Sequence, residues 1–379
     1  MINPDFFAKN LKKNGYSFAV GVPDSLLKEL SNNFIKTFNN NHIISTNEGS
    51  AIGLAIGYYL GKRKPAIIYL QNSGLGNLIN PLNSLANPKV YGIPMLLIIG
   101  WRGEIKKNKQ ISDEPQHKFQ GLITLKQLNI LNVPYKIIHS KTKNIKKIIK
   151  DLRSKSIKFQ SPVALVVRKN TFSKSIYKSK SKLRYGFKRE DVIKKIVLTT
   201  QKTKNIIVAT TGMASRELYE TRVKNKDNNK KDFLTVGGMG HASQIASGIG
   251  LTTKKKIICI DGDGSFLMHS GALGISAAVK NLVHIVINNM AHDSVGGQPT
   301  LGNKLNFKNI AKEFGYNKSY STNNLNNFTK ILKNCLKYKN SSIIIVNCDK
   351  GYRKNLGRPE RNMLERKEKF LKLLHEKSN

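Results

Sequence analysis

The stretch Ile257-Ile258-Cys259-Ile260-Asp261-Gly262-Asp263-Gly264-Ser265 carries an apolar run straight into a Gly-Asp-Gly turn. Beyond it, residues 267–280 read as a helix, and a second apolar run at 283–287 ends in Asn288-Asn289. Strand, glycine-rich loop, helix and strand in that order make a βαβ unit, whose two strands run parallel. A glycine-rich loop that opens a helix offers bare backbone N–H groups, a natural place for phosphate oxygens. Asp263 and Asn289 close the two strands, so both can converge on one ion. Side-chain oxygens, a backbone carbonyl and phosphate oxygens together suit a hard cation such as Mg²⁺.

The same alternation extends outward through the chain. Short apolar runs recur at Phe18-Ala19-Val20, 66–70, 95–99 and 163–167, and again at 206–209, 257–260, 283–287 and 343–346. Amphipathic stretches separate them; in residues 142–153, Ile145, Ile148, Ile149 and Leu152 form one helical stripe. Residues from about 169 to about 190 are rich in Lys and Ser and lack apolar periodicity, which reads as a linker. The expected fold class is therefore α/β, with two doubly wound parallel-sheet domains. They span residues 1–170 and 189–379, with a basic linker at 171–188.

A chain of 379 residues with 39% apolar content can bury a full core. No run reaches the roughly 18 apolar residues that would span a bilayer; the best, 91–101, is broken by Pro94. The opening Met1-Ile2-Asn3-Pro4-Asp5 lacks the basic and apolar regions of a secretory signal. Cys259, Cys335 and Cys348 are too few for a disulfide framework. A cytoplasmic protein without a membrane partner is expected. The 65 basic and 23 acidic residues leave a net charge of +42, and the alternative this raises is a nucleic-acid binder. The charges are spread, however, over segments such as Lys106-Lys107-Asn108-Lys109, 141–150 and 178–184, in a chain rich in Lys, Asn and Ile together. No aromatic-interleaved motif, zinc-finger spacing or basic zipper accompanies them, so no specific nucleic-acid partner is expected. A basic field would still draw in anionic small molecules.

Between Gly264 and Asn289 lie residues 265 to 288, which is 24 positions. Gly-Asp-Gly, that interval and then Asn-Asn resembles the diphosphate-and-magnesium motif of the thiamin-diphosphate-dependent enzymes. A second, independent element lies in the first half: Ser45-Thr46-Asn47-Glu48-Gly49-Ser50-Ala51-Ile52-Gly53-Leu54-Ala55-Ile56-Gly57. Locally, Ser45-x-x-Glu48 reads as a capping box with Glu48 at the third helical position. The Gly and Ala spacing after it permits close helix packing, as at a subunit interface or inside the domain. The resemblance implies more for Glu48, a hydrogen bond to N1′ of the aminopyrimidine ring.

Further segments narrow the resemblance to the phosphonopyruvate decarboxylases, with the sulfopyruvate decarboxylases as near relatives. They are Gly21-Val22-Pro23-Asp24-Ser25-Leu26-Leu27, Gln71-Asn72-Ser73-Gly74-Leu75-Gly76-Asn77 and Gly100-Trp101-Arg102-Gly103. Asp113-Glu114-Pro115-Gln116-His117, Ala291-His292-Asp293-Ser294-Val295-Gly296-Gly297-Gln298-Pro299-Thr300 and Leu356-Gly357-Arg358-Pro359 complete the set. The Lys-rich stretch 105–111 departs from that pattern, just before the segment that carries His117.

The resemblance implies two thiamin-diphosphate-binding halves, the first for the pyrimidine and the second for the diphosphate. Mg²⁺ would sit on Asp263, Asn289 and the backbone carbonyl of Ala291. Gly212, Met239, Gly264 and Ser265 would contact thiamin diphosphate, with Met239 propping it in a bent shape. Asp24, Ser25 and Gln71 would bind the 2-oxo acid, and His117 and His292 would relay protons. The implied reaction is loss of CO₂ from phosphonopyruvate to give phosphonoacetaldehyde, a step in phosphonate biosynthesis. The implied assembly is a homo-oligomer with active sites between subunits, Glu48 from one chain and Asp263 and Asn289 from another.

Overall fold

The structure, a computed structural model, describes residues 1–174, 184–227, 229–357, 359 and 362–375. The chain divides into two units, Met1–Ser179 and Lys180–Asn379. That division falls within the basic stretch expected at 171–188, of which residues 175–183 lie outside the described residues, as does Arg358. The flanks of the stretch are packed. Ile2 bridges Phe172 in the first unit, and in the second the Asp349 carboxylate accepts the N–H groups of Arg184, Tyr185 and Gly186.

The first unit holds a six-stranded sheet built from β1 (Ala19–Gly21), β2 (His42–Ile44), β3 (Ala66–Gln71), β4 (Met95–Gly100), β5 (Tyr135–Ile138) and β6 (Pro162–Val167). The second holds β7 (Ile206–Ala209), β8 (Asp232–Leu234), β9 (Ile257–Gly262), β10 (Leu282–Asn288), β11 (Lys318–Thr322) and β12 (Ser342–Asn347). All pairings within both sheets are parallel. The orders are β2-β1-β3-β4-β6-β5 and β8-β7-β9-β10-β12-β11. The two units therefore share one topology, strand for strand.

Parallel sheets need helices on both faces, and the central strands are apolar on both. Ile67, Tyr69, Leu96, Ile98 and Leu165 pack into one core of the first unit. Their neighbours Ile68, Leu70, Leu97, Ile99 and Val166 pack into another on the opposite face. In the second unit Ile258, Ile260, Val283 and Ile285 line one core, while Ile257, Cys259 and Leu282 line a second. The eight runs expected from sequence are the four inner strands of each sheet. The four strands that sequence reading did not name, β2, β5, β8 and β11, are the edges.

Three local expectations are corrected. The stripe of residues 142–153 is helical only from Ile145, in a helix that continues to Lys158. Thr142 instead closes a turn by accepting the His139 N–H. The helix expected at 267–280 opens earlier, at Asp263, and stops at Met268. His269 leaves helical geometry, and the chain resumes in a separate short helix, Leu273–Ala277. The capping box at Ser45 is not formed. Asn47 is the N-cap of the helix Glu48–Lys62, accepting the Gly49 N–H at 2.7 Å, and Glu48 is the first helical residue.

Candidate active site

In an open parallel sheet, ligands collect at the strand carboxyl ends, where the chain reverses its direction across the sheet. That crevice lies between β1 and β3 in the first unit, and between β7 and β9 in the second. The predicted residues occupy matching loops. Asp24 follows β1, Glu48 follows β2 and Gln71 ends β3; Gly212 follows β7, Met239 follows β8 and Asp263 follows β9.

Across the first crevice, Gln71 Nε2 donates to Asp24 Oδ1 at 2.7 Å. The other Asp24 oxygen accepts the N–H groups of Leu26 and Leu27, so this carboxylate does cap the turn leading into the helix Lys28–Phe38. Burial raises the Asp24 pKa, although Gln71 and the nearby Arg102 pull it down. Arg102, just beyond β4, forms a two-point ion pair with Asp113 at 2.8 and 2.5 Å and donates to Ser25 Oγ at 3.2 Å. Its backbone is clamped by Asn72, whose side chain reaches both the Arg102 N–H and its carbonyl. Asp24, Ser25 and Gln71 are thus brought together, around a guanidinium to which sequence reading had given no role.

Glu48 is 4% exposed and accepts from Asn77 Nδ2 at 2.7 Å. Desolvation raises its pKa, against the pull of that hydrogen bond. Its carboxyl packs on bare backbone, since a Cβ on Gly74 would lie 2.3 Å from Oε1. Along the same helix, Ser50, Gly53, Leu54, Gly57, Leu60 and Gly61 are exposed. Nothing in the described residues comes within 4 Å of a Cβ placed on Gly53, Gly57 or Gly61. The glycines do not serve packing inside the unit.

His117 lies in the first turn of the helix Pro115–Ile130. The loop after β4 is locked to that helix. Trp101 Nε1 donates to the Gly121 carbonyl at 2.9 Å, and a Cβ on Gly103 would lie 2.0 Å from the His117 carbonyl oxygen. The Lys-rich departure folds as a two-stranded ribbon, Ile105–Lys106 against Lys109–Gln110. Gln110 Nε2 ties it down by donating to the carbonyls of Gly103 and Lys118.

In the second unit, Asp263 is 2% exposed and accepts from the Thr300 hydroxyl. Burial pushes its pKa up to about 7, and the nearby Asp293 carboxylate adds to the rise. Asn289 donates to Asp293 at 2.6 Å, and its oxygen accepts the Ala291 N–H at 3.3 Å. Met290, between these residues, has φ +57°, a left-handed turn that costs a non-glycine residue roughly 1 kcal/mol. Ser265 Oγ meets Thr210 Oγ1 at 3.0 Å across the β7/β9 crevice and accepts the Gly240 N–H at 3.0 Å. A Cβ on Gly264 would lie 2.8 Å from His292 Cε1 and 3.3 Å from Met239 Cε, so Gly264, Met239 and His292 form one contact group. Burial lowers the His292 pKa to about 4 and keeps the imidazole neutral. Gly212, φ +89°, caps the helix Met213–Lys224.

These residues fit a cation-bound diphosphate. A buried carboxylate with a raised pKa and an amide oxygen form a hard-oxygen set short of positive charge. Gly238 and Gly262 border open space, since a Cβ on either meets nothing within 4 Å. Behind the loop a buried chain runs from Asp261, 3.4 Å from His284 Nε2, through His284 Nδ1 to the Tyr316 hydroxyl at 2.8 Å. Sequence reading missed Thr210, and it quoted Arg102, Asp113 and Thr300 within longer segments without giving them roles. Asn77 and Asp293 stood in quoted segments without assigned roles.

Comparison with known proteins agrees with this geometry. Residues 4–130 match the N-terminal, and residues 210–346 the C-terminal, TPP-binding domain of thiamine pyrophosphate enzymes. Two-thirds of the chain thus lies in domains of one cofactor class. The phosphonopyruvate decarboxylase of Streptomyces viridochromogenes is 30% identical over 362 residues, covering 91% of this chain and 88% of that protein. That of Streptomyces hygroscopicus is 29% identical, covering 95% and 91%. The sulfopyruvate decarboxylase subunit beta of Methanocaldococcus jannaschii is 40% identical over 162 residues, covering 42% and 82%. The chain belongs to the thiamine pyrophosphate-dependent 2-oxo acid decarboxylases, a family of lyases. No helix among the described residues is long and apolar enough to cross a membrane.

Proposed function

We propose that this enzyme converts phosphonopyruvate to phosphonoacetaldehyde and CO₂, in phosphonate biosynthesis, with thiamin diphosphate held through Mg²⁺. The observation that carries the substrate is the near full-length match, 88% and 91% of each relative, to two phosphonopyruvate decarboxylases. The higher identity to a sulfopyruvate decarboxylase subunit favours a second reading, with a sulfonate in place of the phosphonate. Aldehyde formation from each acid by the purified enzyme separates the two. Turnover of sulfopyruvate alone would reverse the assignment.

The thiazolium ring, when bound, supplies the electron sink that lets a 2-oxo acid lose CO₂. Asp263, Asn289 and the Ala291 carbonyl hold the cation, and Gly264 and Ser265 face the phosphates. Gly212 and Met239 would contact the cofactor. Glu48 would hold a proton toward the pyrimidine ring; its desolvated carboxyl keeps a proton more readily than an exposed one does. Gln71 and Ser25, fixed by Asp24 and Arg102, offer donors to the anionic substrate. His292, which burial keeps neutral, and His117 are the two candidates for proton transfer.

The enzyme works as a homo-oligomer. The exposed face around Gly53 and Gly57 supports this, because it admits close approach of another helix.

A further inference from the structure

Three donors converge on a single oxygen of Asp293. Asn289 Nδ2 lies at 2.6 Å from Oδ2, the Gly351 N–H at 2.9 Å and Arg189 Nη1 at 3.2 Å. Arg189 in turn grips Glu217 with Nε to Oε2 at 2.7 Å and Nη2 to Oε1 at 3.0 Å. None of the four side-chain-bearing residues is more than 8% exposed. Burying three charges in a row is expensive, and such a chain is weak as a source of stability alone. What it can supply is direction. A carboxylate only accepts hydrogen bonds, so Asn289 must turn its NH₂ toward Asp293. The Asn289 oxygen then faces away, carrying one long contact, at 3.3 Å, to the Ala291 N–H.

We propose that Glu217, Arg189 and Asp293 form a positioning chain that fixes the amide orientation of Asn289 and presents its oxygen to the divalent cation. Arg189 holds Asp293 against rotation, and Glu217 holds Arg189. The inference rests on the reading of Asp263 and Asn289 as cation ligands. An Asn at position 293 would keep the shape but could also donate, which would let the Asn289 amide flip and aim its NH₂ at the cation. Groups that orient metal ligands in this way are worth roughly 10- to 100-fold in metal affinity.

The test is calorimetric titration of thiamin diphosphate at graded MgCl₂, using wild type, Asp293→Asn, Arg189→Lys and Asp263→Ala. Asp293→Asn is expected to raise the Mg²⁺ midpoint by about tenfold or more. Arg189→Lys, which keeps the charge but not the fork, is expected to raise it by about threefold. A purely structural role would lower the unfolding temperature of the metal-free chain and leave the Mg²⁺ midpoint in place, which overturns the proposal. So would midpoints within about twofold of wild type in both variants, and Arg189→Lys decides alone should Asp293→Asn fail to fold. If wild type binds cofactor regardless of Mg²⁺, or Asp263→Ala behaves as wild type, the cation reading itself falls and this inference with it.

Discussion

Asn77 donates its side-chain N–H to Glu48 Oε2 at 2.7 Å, on a carboxyl that otherwise packs against the bare backbone of Gly74. Together with Glu48's own backbone N–H, that neutral donor offsets only part of the cost of burying a charge. Glu48 therefore keeps a raised pKa, the property that proton exchange with a ring nitrogen demands.

Glu48→Gln should preserve fold and cofactor binding while lowering turnover more than tenfold, about 1.4 kcal/mol in barrier. The amide keeps the shape but cannot exchange the proton. Steady-state aldehyde release with calorimetric cofactor binding checks both halves. Retained turnover would remove Glu48 from its role.

The same carboxyl should leave a mark on stability. A pKa raised above the ordinary 4.5 contributes stability that is fully present below pH 4.5 and lost as pH climbs through the folded value. Glu48→Gln lacks this loss, so in the cofactor-free chain it should gain on wild type as pH rises from about 4 to about 8. Thermal unfolding across that range reads the difference directly. A gap independent of pH would mean that Glu48 titrates normally.

Asp263→Ala should act earlier in the cycle. Without its carboxylate the cation loses its anionic ligand, and the affinity for thiamin diphosphate in Mg²⁺ buffer should fall by about tenfold or more. Unchanged affinity would show that the metal lies elsewhere.

Gly53→Phe should leave the fold of the first unit intact, because nothing described lies within 4 Å of the new Cβ. It should nevertheless weaken the oligomer, measured by sedimentation. If the assembly is unaltered, that face does not carry the interface.

Gly121→Ala should destabilise by about 1–3 kcal/mol, since its Cβ would meet the Gly103 carbonyl oxygen at 1.9 Å and backbone cannot give way easily. The neighbouring His117 would shift with it. Urea unfolding quantifies the loss, and a wild-type midpoint would show that the loop after β4 is not locked to the helix.

Sequence alone determined the inner strands, because strands buried on both faces carry unbroken apolar runs, as at residues 95–99 of β4 and 257–260 of β9. Local chemistry marked Asp263 and Asn289, a carboxylate and an amide where two strands end, whereas Glu48 read locally as a cap and became a candidate through the family resemblance. The edge strands escaped, since β2, β5 and β11 are partly exposed and carry residues such as His42, Lys136 and Lys318 that no apolar pattern marks. Only the tertiary structure decided the partners. Glu48 meets Asn77 across 29 positions, Asp24 meets Gln71 across 47 and Asp263 meets Thr300 across 37. Those separations are set by which strands lie side by side at the crevice, and strand order follows from packing helices on both sheet faces, which no local residue pattern encodes.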